Sequence, residues 1–366
     1  MRLTNPPDDV RMLAEEFLRP VNVGNVSPRT NLTLGEFVET VYFVNKQNEN
    51  RASTMRGYKQ RWNSLLAPRC RNERLREFDT PKAQRVLKQA SSQPLLKDPT
   101  RTQTKSTVDH LKTFLSGVFR HAIQQGFHPG PNPIRETTVP RAREGEETYA
   151  YSLNEELAML KVLPEPARTM VALASFGGLR RSEIFGVDWK DYTGAQISVE
   201  QTVVEGIVEG PKTRASKGKV PVIAPLQTLL DAHRMRCGNP TAGPIFATLD
   251  GKKALRPNNV VNRMILPALS VCVCGKRADE HVDADHEYER DMSLPEWRGW
   301  HPFRRGLGTN LHDLGVHIKT ISKILRHKNS AITANLYVKT LDAQQIGAMH
   351  QLEVLVQGCL ALPQGA

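Results

Sequence analysis

A nine-residue stretch, VPRAREGEE at residues 139–147, divides the chain into two parts with different sequence patterns. It carries glycine and charge but no apolar periodicity, which is typical of an exposed linker. The chain has 366 residues, enough for a domain with its own core on each side of the linker. We therefore predict a two-domain protein whose second domain begins near residue 148.

Upstream of the linker, apolar residues recur at helical spacing. Thr33 followed by Glu36 is a capping-box pattern, and Gly126 ends the last apolar stripe. The helices expected from these signals are Thr33–Gln47, Ala52–Leu66 with a stop near Pro68, one that opens at Thr80-Pro81, and a long one within 101–127 with the stripe Val108, Leu111, Leu115, Val118, Phe119 and Ile123. Residues 31–138 are thus predicted to form a helical domain, and residues 1–30 a flexible lead-in with one short helix near Val10–Leu18.

Downstream of the linker, the pattern is mixed. Alternating apolar residues over 196–204, glycines at 206 and 210, and a VPV run at 220–222 indicate a small antiparallel sheet with long hairpins. Helical runs follow at 225–236, 258–269, 303–314, 318–327, 332–337 and 343–356. We expect a second domain over 148–341, a C-terminal helix and tail over 342–366, and a chain that is mainly α with a small antiparallel β-sheet (α+β).

The charge of the chain favours a polyanionic partner. The formal net charge is +12 and the sequence pI is about 9.6. Between Arg51 and Arg76, eight basic residues accompany a single acid, Glu73, with Tyr58 and Trp62 interleaved. A basic protein need not bind nucleic acid, but this clustering is typical of a surface that faces phosphates. The candidate DNA contacts are Arg51, Arg56, Lys59 and Arg61.

Composition argues against two broad classes of protein. No apolar run is long enough to span a bilayer, so neither membrane insertion nor secretion is expected. Five cysteines are too few for a disulfide scaffold, and a reducing cytoplasm suits them best.

The stretch WRGWHPFRRGLGTNLHDLGVHIKTISKILRHKNSAITANLY, residues 297–337, carries the strongest chemical signal. His301 and Arg304 are three residues apart in a helical run and so share a face, whereas Arg305 lies about 100° further round the helix. His327 and Tyr337 follow in the same stretch. Guanidinium, imidazole and phenol groups can clamp a phosphate, move protons and attack phosphorus without a metal.

Two upstream motifs complete this set. FGGLRRSE contains Arg180 and Glu183, and GPKTRASKGKVPV contains Lys212, with Lys217 and Lys219 as competitors. Each signal has an ordinary reading when taken alone. Arg180 and Glu183 could be a helix salt bridge, and the lysines could be solvated surface residues. A tyrosine in an apolar helical pattern is most often part of a core.

The order Arg, Lys, His-x-x-Arg, His, Tyr resembles the tyrosine recombinase (phage integrase) family over most of the chain. The resemblance implies a helical core-binding (SAM-like) DNA-binding domain over 31–138, a catalytic domain over 148–341, and a tail over 342–366 that docks into a neighbouring subunit. It implies a catalytic set of Arg180, Lys212, His301, Arg304, His327 and Tyr337, with Glu183 in support. The chain departs from the family at Arg326, where glycine often precedes the histidine, and this arginine could add a phosphate contact.

The implied activity is site-specific recombination of double-stranded DNA through a 3′-phosphotyrosyl intermediate and a Holliday junction. Tyr337 would be the nucleophile, Lys212 the acid and His301 the base, and catalysis would need no cofactor. The implied assembly is a homotetramer on two DNA sites, aided by accessory DNA-bending or directionality factors. The alternatives are a type IB topoisomerase-like enzyme that relaxes DNA and a DNA-binding accessory protein without catalysis.

An insertion over 271–290, within VCVCGKRADEHVDADHEYER, suggests a metal site. Cys272, Cys274, His281 and His286 could form a tetrahedral Cys2His2 set, and Asp283 or Asp285 could replace a histidine. The other reading is a polar surface loop with two reduced thiols. Because the implied chemistry uses no metal, any zinc here is expected to be structural.

Overall fold

The computed structural model describes residues 10, 12–13, 31–96, 98–204, 206–210, 217–281 and 285–327. It divides into two compact units, 1–147 and 148–366. Lys212, Tyr337 and the helices predicted at 332–337 and 343–356 lie outside the described residues, as do Asp283 and most of the helix predicted near Val10–Leu18.

The first unit is helical. The capping box at Thr33 is present, with Glu36 N donating to Thr33 Oγ1 at 3.2 Å. The helical segments are Leu34–Glu36, Phe37–Tyr42, Phe43–Gln47, Ala52–Arg61, Trp62–Leu66, Ala67–Cys70, Leu75–Glu77, Thr80–Ser91 and Lys105–Gln124. Their apolar faces meet in one core, and Gly126 follows the long helix with a φ of 73°.

Two details of the first unit differ from the sequence prediction. Pro68 does not stop the second helix. A wider π-type turn at Trp62–Leu66 lets a new helical segment start at Ala67 with the proline in its first turn, where a missing N–H is tolerated. Ile123, assigned to the apolar stripe, is 37% exposed, and Phe114 is buried in the core in addition to the predicted positions.

The second unit is a helical core with short antiparallel strands. Four strands are described, β1 Gln196–Val199, β2 Thr202–Val204, β3 Ile207–Glu209 and β4 Gly218–Pro221, and they pair as β1 with β4 and β2 with β3. The helical segments are Leu153–Val162, Ala167–Gly177, Arg181–Ile184, Trp189–Asp191, Ala224–Arg236, Pro257–Val260, Val261–Ile265, Leu266–Leu269, Ala278–Glu280, His301–Asp313 and Ile318–Ile324.

The Ala167–Gly177 helix is the centre of the second unit. Nearly all of its residues are buried, and it packs against the Ala224–Arg236 and His301–Asp313 helices. Because other elements surround this helix, it needs no polar side. This accounts for the nearly continuous apolar run MVALAS in its sequence. The predicted fold class, mainly α with a small antiparallel sheet, is confirmed. None of the helices in the described ranges is long and apolar enough to cross a membrane.

Candidate active site

A sharp turn at the end of the central helix positions Arg180. Gly178 has a φ of 58°, in the left-handed region, and a Cβ there would lie 2.9 Å from Leu307 and 3.1 Å from Leu325. The left-handed φ favours glycine, and a side chain there would also crowd the ends of the two leucines. The turn lets the Glu183 carboxylate accept from Arg180 N at 2.8 Å and from Arg180 Nη1 at 2.6 Å.

Arg304 is the most enclosed cation of the site. It is 2% exposed, and its Nη1 donates to the carbonyl oxygen of Gly178. Its Nε and Nη2 atoms are buried and have no hydrogen-bond partner among the described residues. Burial and, after it, the charges of Arg180 and Arg326 lower the pKa of Arg304 to about 9. Buried donors of a charged group are normally paired, so these two nitrogens leave a place for an anion.

The neighbouring Arg305 points elsewhere. Its Nη1 donates to the carbonyl oxygen of Tyr149 at 3.1 Å, and it is partly exposed. Of the two adjacent arginines, the one three residues after His301, Arg304, therefore lies beside Arg180. Arg305 instead binds the backbone at the start of the unit.

The charges of these arginines contribute to lowering the pKa values of His301 and His327. Partial removal from water, and then Arg305, Arg304 and Arg180, lower the pKa of His301 to about 4, although His301 is exposed as a residue. Burial, and then Arg304, Arg180, His301 and Arg326, lower the pKa of His327 to about 4. Both imidazoles are thus neutral at physiological pH, and each can accept or donate a proton.

Arg326 is a site residue whose contact differs from the sequence expectation. Its Nη2 donates to Glu183 Oε2 at 2.7 Å. This nitrogen therefore binds a carboxylate, where the sequence suggested a phosphate contact. Glu183 is 1% exposed, and the charges of Arg326 and Arg180 overcome its burial and keep the pKa of its carboxyl below the ordinary value. The sequence marks the position, as a non-glycine residue where a helix ends, but it does not show which residue Arg326 binds.

The lysine of the site cannot be compared directly, since Lys212 lies outside the described residues. Its competitors are described. Lys217 pairs with Glu200 at 3.2 Å, and both side chains are about half exposed. Lys219 is exposed on β4 opposite Ser198.

The candidate DNA contacts of the first unit lie on or beside the Ala52–Arg61 helix. Arg56 and Lys59 are exposed, Arg51 and Arg61 are partly exposed, and Lys59 Nζ lies 5.9 Å from the centre of the Phe43 ring. Trp62 is 0% exposed and donates to Glu39. The tryptophan therefore belongs to the core of this unit and not to a stacking surface, so only the basic half of the sequence pattern describes the surface.

The four predicted metal ligands come together. The ligand atoms of Cys272, Cys274, His281 and His286 all lie within 4.8 Å of one another. Cys272 Sγ is 3.3 Å from His286 Nε2, and the Nε2 atoms of the two histidines are 3.2 Å apart. Tetrahedral zinc with Zn–N of about 2.0 Å and Zn–S of about 2.3 Å needs neighbouring ligand atoms roughly 3.3–3.8 Å apart. The Cys272–His286 and His281–His286 separations are close to this range.

The surroundings of the cluster fit a metal as well. Asp285 Oδ1 is 3.0 Å from His286 Nδ1, the nitrogen that faces away from the other ligands. Asp285 therefore orients a histidine and does not replace one. The backbone N–H of Glu289 points at Cys272 Sγ at 3.4 Å, and Gly275, with a φ of 82°, closes the turn after the two cysteines. Such N–H donors stabilise a thiolate.

Known proteins resemble this chain in sequence and in fold. No family profile matches the chain. A XerC-like tyrosine recombinase of Caldanaerobacter subterraneus subsp. tengcongensis is 23% identical over 371 residues, covering 93% of this chain and 88% of that protein. The Tn1549 transposon integrase in complex with a circular intermediate DNA matches with a TM-score of 0.65 at 16% identity, covering 88% of this chain and 99% of that one. A lambda integrase tetramer bound to a Holliday junction matches with a TM-score of 0.58 at 16% identity, covering 90% of each chain.

The two solved structures share the fold of this chain, and the XerC-like protein is related to it in sequence over nearly the whole length. The chain is therefore similar to a tyrosine recombinase in sequence and to two integrases in fold.

Proposed function

We propose that this protein is a site-specific DNA recombinase of the integrase type, which cuts and rejoins DNA through a 3′-phosphotyrosyl intermediate. One observation carries the proposal. Arg304 is buried with two unpartnered nitrogens beside Arg180 and two neutral imidazoles. A phosphodiester supplies the single negative charge and the oxygen acceptors that such a group of donors requires.

The residues divide the reaction between them. Tyr337 attacks phosphorus through its hydroxyl oxygen, the bond from phosphorus to the 5′ oxygen breaks, and the tyrosine proton passes to neutral His301. Lys212 protonates the leaving 5′ oxygen. Arg180 and Arg304 stabilise the charge that develops on the non-bridging oxygens, and His327 donates a hydrogen bond to one of them. The phosphotyrosyl bond retains the energy of the broken bond, so rejoining needs no external energy source.

The partner is double-stranded DNA. Arg51, Arg56, Lys59 and Arg61 supply phosphate contacts that attract any duplex without reading its sequence. The assembly that exchanges strands is a homotetramer on two sites, joined by the 342–366 tail and aided by accessory DNA-bending or directionality factors. The substrate places the enzyme in the cytoplasm, at the nucleoid of a bacterium or on phage DNA.

A covalent trapping assay tests the proposal. A nicked duplex from the DNA that flanks the gene releases a short 5′-hydroxyl fragment after cleavage, so the covalent complex cannot be rejoined. Wild type should form a denaturant-resistant adduct that Tyr337→Phe does not form. DNA that is bound but yields no adduct would favour the accessory-protein alternative. Relaxation of a supercoiled plasmid without recombinant products would favour the topoisomerase alternative.

We also propose that Cys272, Cys274, His281 and His286 hold one zinc ion that stabilises the 271–290 insertion. Four ligand atoms within 4.8 Å of one another, two separations close to those of tetrahedral zinc, and a carboxylate that orients one histidine support this assignment. The ion lies outside the proposed chemistry, because all four positions of a tetrahedral zinc would be filled by protein and none would remain for substrate.

Metal analysis of the purified protein tests the zinc site. Wild type and the control Cys237→Ser, which changes an exposed cysteine outside the cluster, should carry about one equivalent of zinc, and Cys272→Ser should carry little. Wild type without zinc, when purified with zinc in the medium, would rule the site out. Equal zinc in both variants would show that Cys272 is not a ligand.

A further inference from the structure

Arg326 occupies a backbone conformation that does not suit an arginine. It follows the Ile318–Ile324 helix with a φ of 52°, and His327 N donates back to Ser322 O at 3.0 Å. This is the helix-ending turn in which glycine is usual, because other residues pay about 1 kcal/mol or more for left-handed φ values. The side chain must therefore contribute something that glycine cannot.

Its contacts lie on several elements of the proposed active site. The guanidinium binds Glu183 at 2.7 Å, and both side chains are almost fully buried. The carbonyl oxygen of Arg326 accepts from Arg180 Nη2 at 3.2 Å. Its methylene groups lie against Gly218 at the start of β4, where an added Cβ would be 3.1 Å from Arg326 Cδ. The next residue in the chain is His327.

From this geometry we infer that Arg326 is a positioning residue that joins the Arg180 turn, the start of β4 and the His327 turn into one arrangement. Its Nη2 donates to Glu183 and its Nη1 to the carbonyl oxygen of Ile324 at 3.4 Å, while its buried Nε has no partner among the described residues, so Glu183 is its only side-chain partner there. It acts through Glu183, which holds Arg180 by both its backbone N and its side chain. The role rests on the proposed recombinase function.

The charge of Arg326 also matters to Glu183. The charged groups acting on this carboxylate are Arg326 and Arg180, and Glu183 in turn acts on Arg304. Removal of the Arg326 charge leaves Arg180 alone to offset burial, so the pKa of Glu183 rises. A protonated Glu183 accepts fewer hydrogen bonds from Arg180, and cleavage then falls at a pH where the wild type remains active.

The test uses single-turnover cleavage of the nicked duplex by saturating full-length protein. Arg326→Met keeps the bulk and removes the charge, Arg326→Lys keeps the charge, and Arg326→Gly gives the turn its usual residue. Lys323→Met is the matched control, since it removes an exposed charge from the same helix. The rate constant reports the site, whereas the reacting fraction reports how much protein is folded.

For Arg326→Met we expect a rate constant roughly 10–100-fold lower, an acid limb of the pH–rate profile shifted to higher pH, and DNA affinity within about threefold of wild type. Arg326→Lys should recover part of the rate, and Arg326→Gly should not.

A wild-type rate constant in Arg326→Met or Arg326→Gly would overturn the inference, as would a uniform loss without a shifted pH profile. If Arg326→Met does not fold, the same comparison is made with Arg326→Lys, whose weaker grip on Glu183 predicts a smaller shift of the same sign. Failure of the wild type to form any adduct would instead count against the recombinase function.

Discussion

Two carboxylates are buried equally in the second unit and have opposite properties. Glu183 and Glu156 are each 1% exposed. Glu183 is bound by Arg180 and Arg326, and the pKa of its carboxyl is lowered. Glu156 has no basic partner among the described residues, and its Oε1 makes no hydrogen bond there. Burial raises the pKa of Glu156 to about 8.

The difference shows that burial does not decide whether a group is charged. Around Glu183, the cations Arg180, Arg304 and Arg326 outnumber the one carboxylate. Their excess charge keeps Glu183 ionised and leaves the cluster short of an anion, and it adds to burial in lowering the pKa of the nearby imidazoles. Around Glu156, apolar packing keeps the carboxyl protonated. The first group is charged and lies among donors that can bind an anion, and the second is a buried carboxyl that keeps its proton.

The change with the largest expected effect removes the charge of Glu183. In Glu183→Gln, buried Arg326 loses its counter-charge, which should cost about 3–5 kcal/mol of unfolding free energy. Cleavage should fall with it, because Arg180 loses its support. Chemical denaturation and the single-turnover assay measure the two effects. Stability equal to that of wild type would mean that water, and not Glu183, balances Arg326.

Arg304 provides the next test, because two of its guanidinium nitrogens have no partner among the described residues. Arg304→Ala should lower the cleavage rate constant by about 10²–10³, and DNA affinity should change much less. The matched control is Arg305→Ala, which removes the adjacent arginine that binds the backbone at Tyr149. Equal losses in the two variants would contradict the selective placement of Arg304.

Glu156→Gln tests the other side of the comparison. Because the folded pKa is about 8 and the ordinary value is 4.5, the wild type binds this proton more tightly when folded. Its stability is then greatest below pH 4.5 and is lost as pH rises towards 8, by at most about 4–5 kcal/mol. The variant should be the more stable protein at pH 8, with a flatter pH dependence. Thermal unfolding between pH 5 and 8.5 checks this, and a less stable variant at pH 8 would show that Glu156 is ionised and partnered.

The two carboxylates also mark how far sequence can lead. Glu183 was assigned to the site because its motif stands in a recognisable order with His301 and Arg304, and the HxxR spacing is a local helical property. The partner of Glu183 could not be predicted, since Arg326 lies 143 residues away and only the folded chain brings them together. Glu156 gave no signal, because it follows a capping box in which an acidic residue is ordinary.

Local spacing patterns predicted more of the structure than the properties of single residues did. Helix starts, the small sheet and the Cys/His cluster follow from local spacing. Pro68 and Trp62 were misjudged because their roles depend on neighbours: a wider turn accommodates the proline, and Glu39 receives the indole N–H in the core. Propensity and composition cannot report such contacts.

The smallest expected effect concerns the histidines beside the cluster. Burial, and after it the arginines that keep Glu183 ionised, hold the pKa values of His301 and His327 at about 4, below the ordinary 6.5. A bound phosphate offsets those cations, so both pKa values should rise and DNA binding should take up protons. Affinity should then increase as pH falls from 7 to 5.5, with a slope near pH 5.5 of about half a proton. Fluorescence anisotropy at constant salt measures the slope.

Lys59→Gln, on the exposed basic helix, should weaken binding and keep the slope, whereas His301→Gln combined with His327→Gln should remove it. A slope retained in the double variant would place the proton uptake outside the cluster.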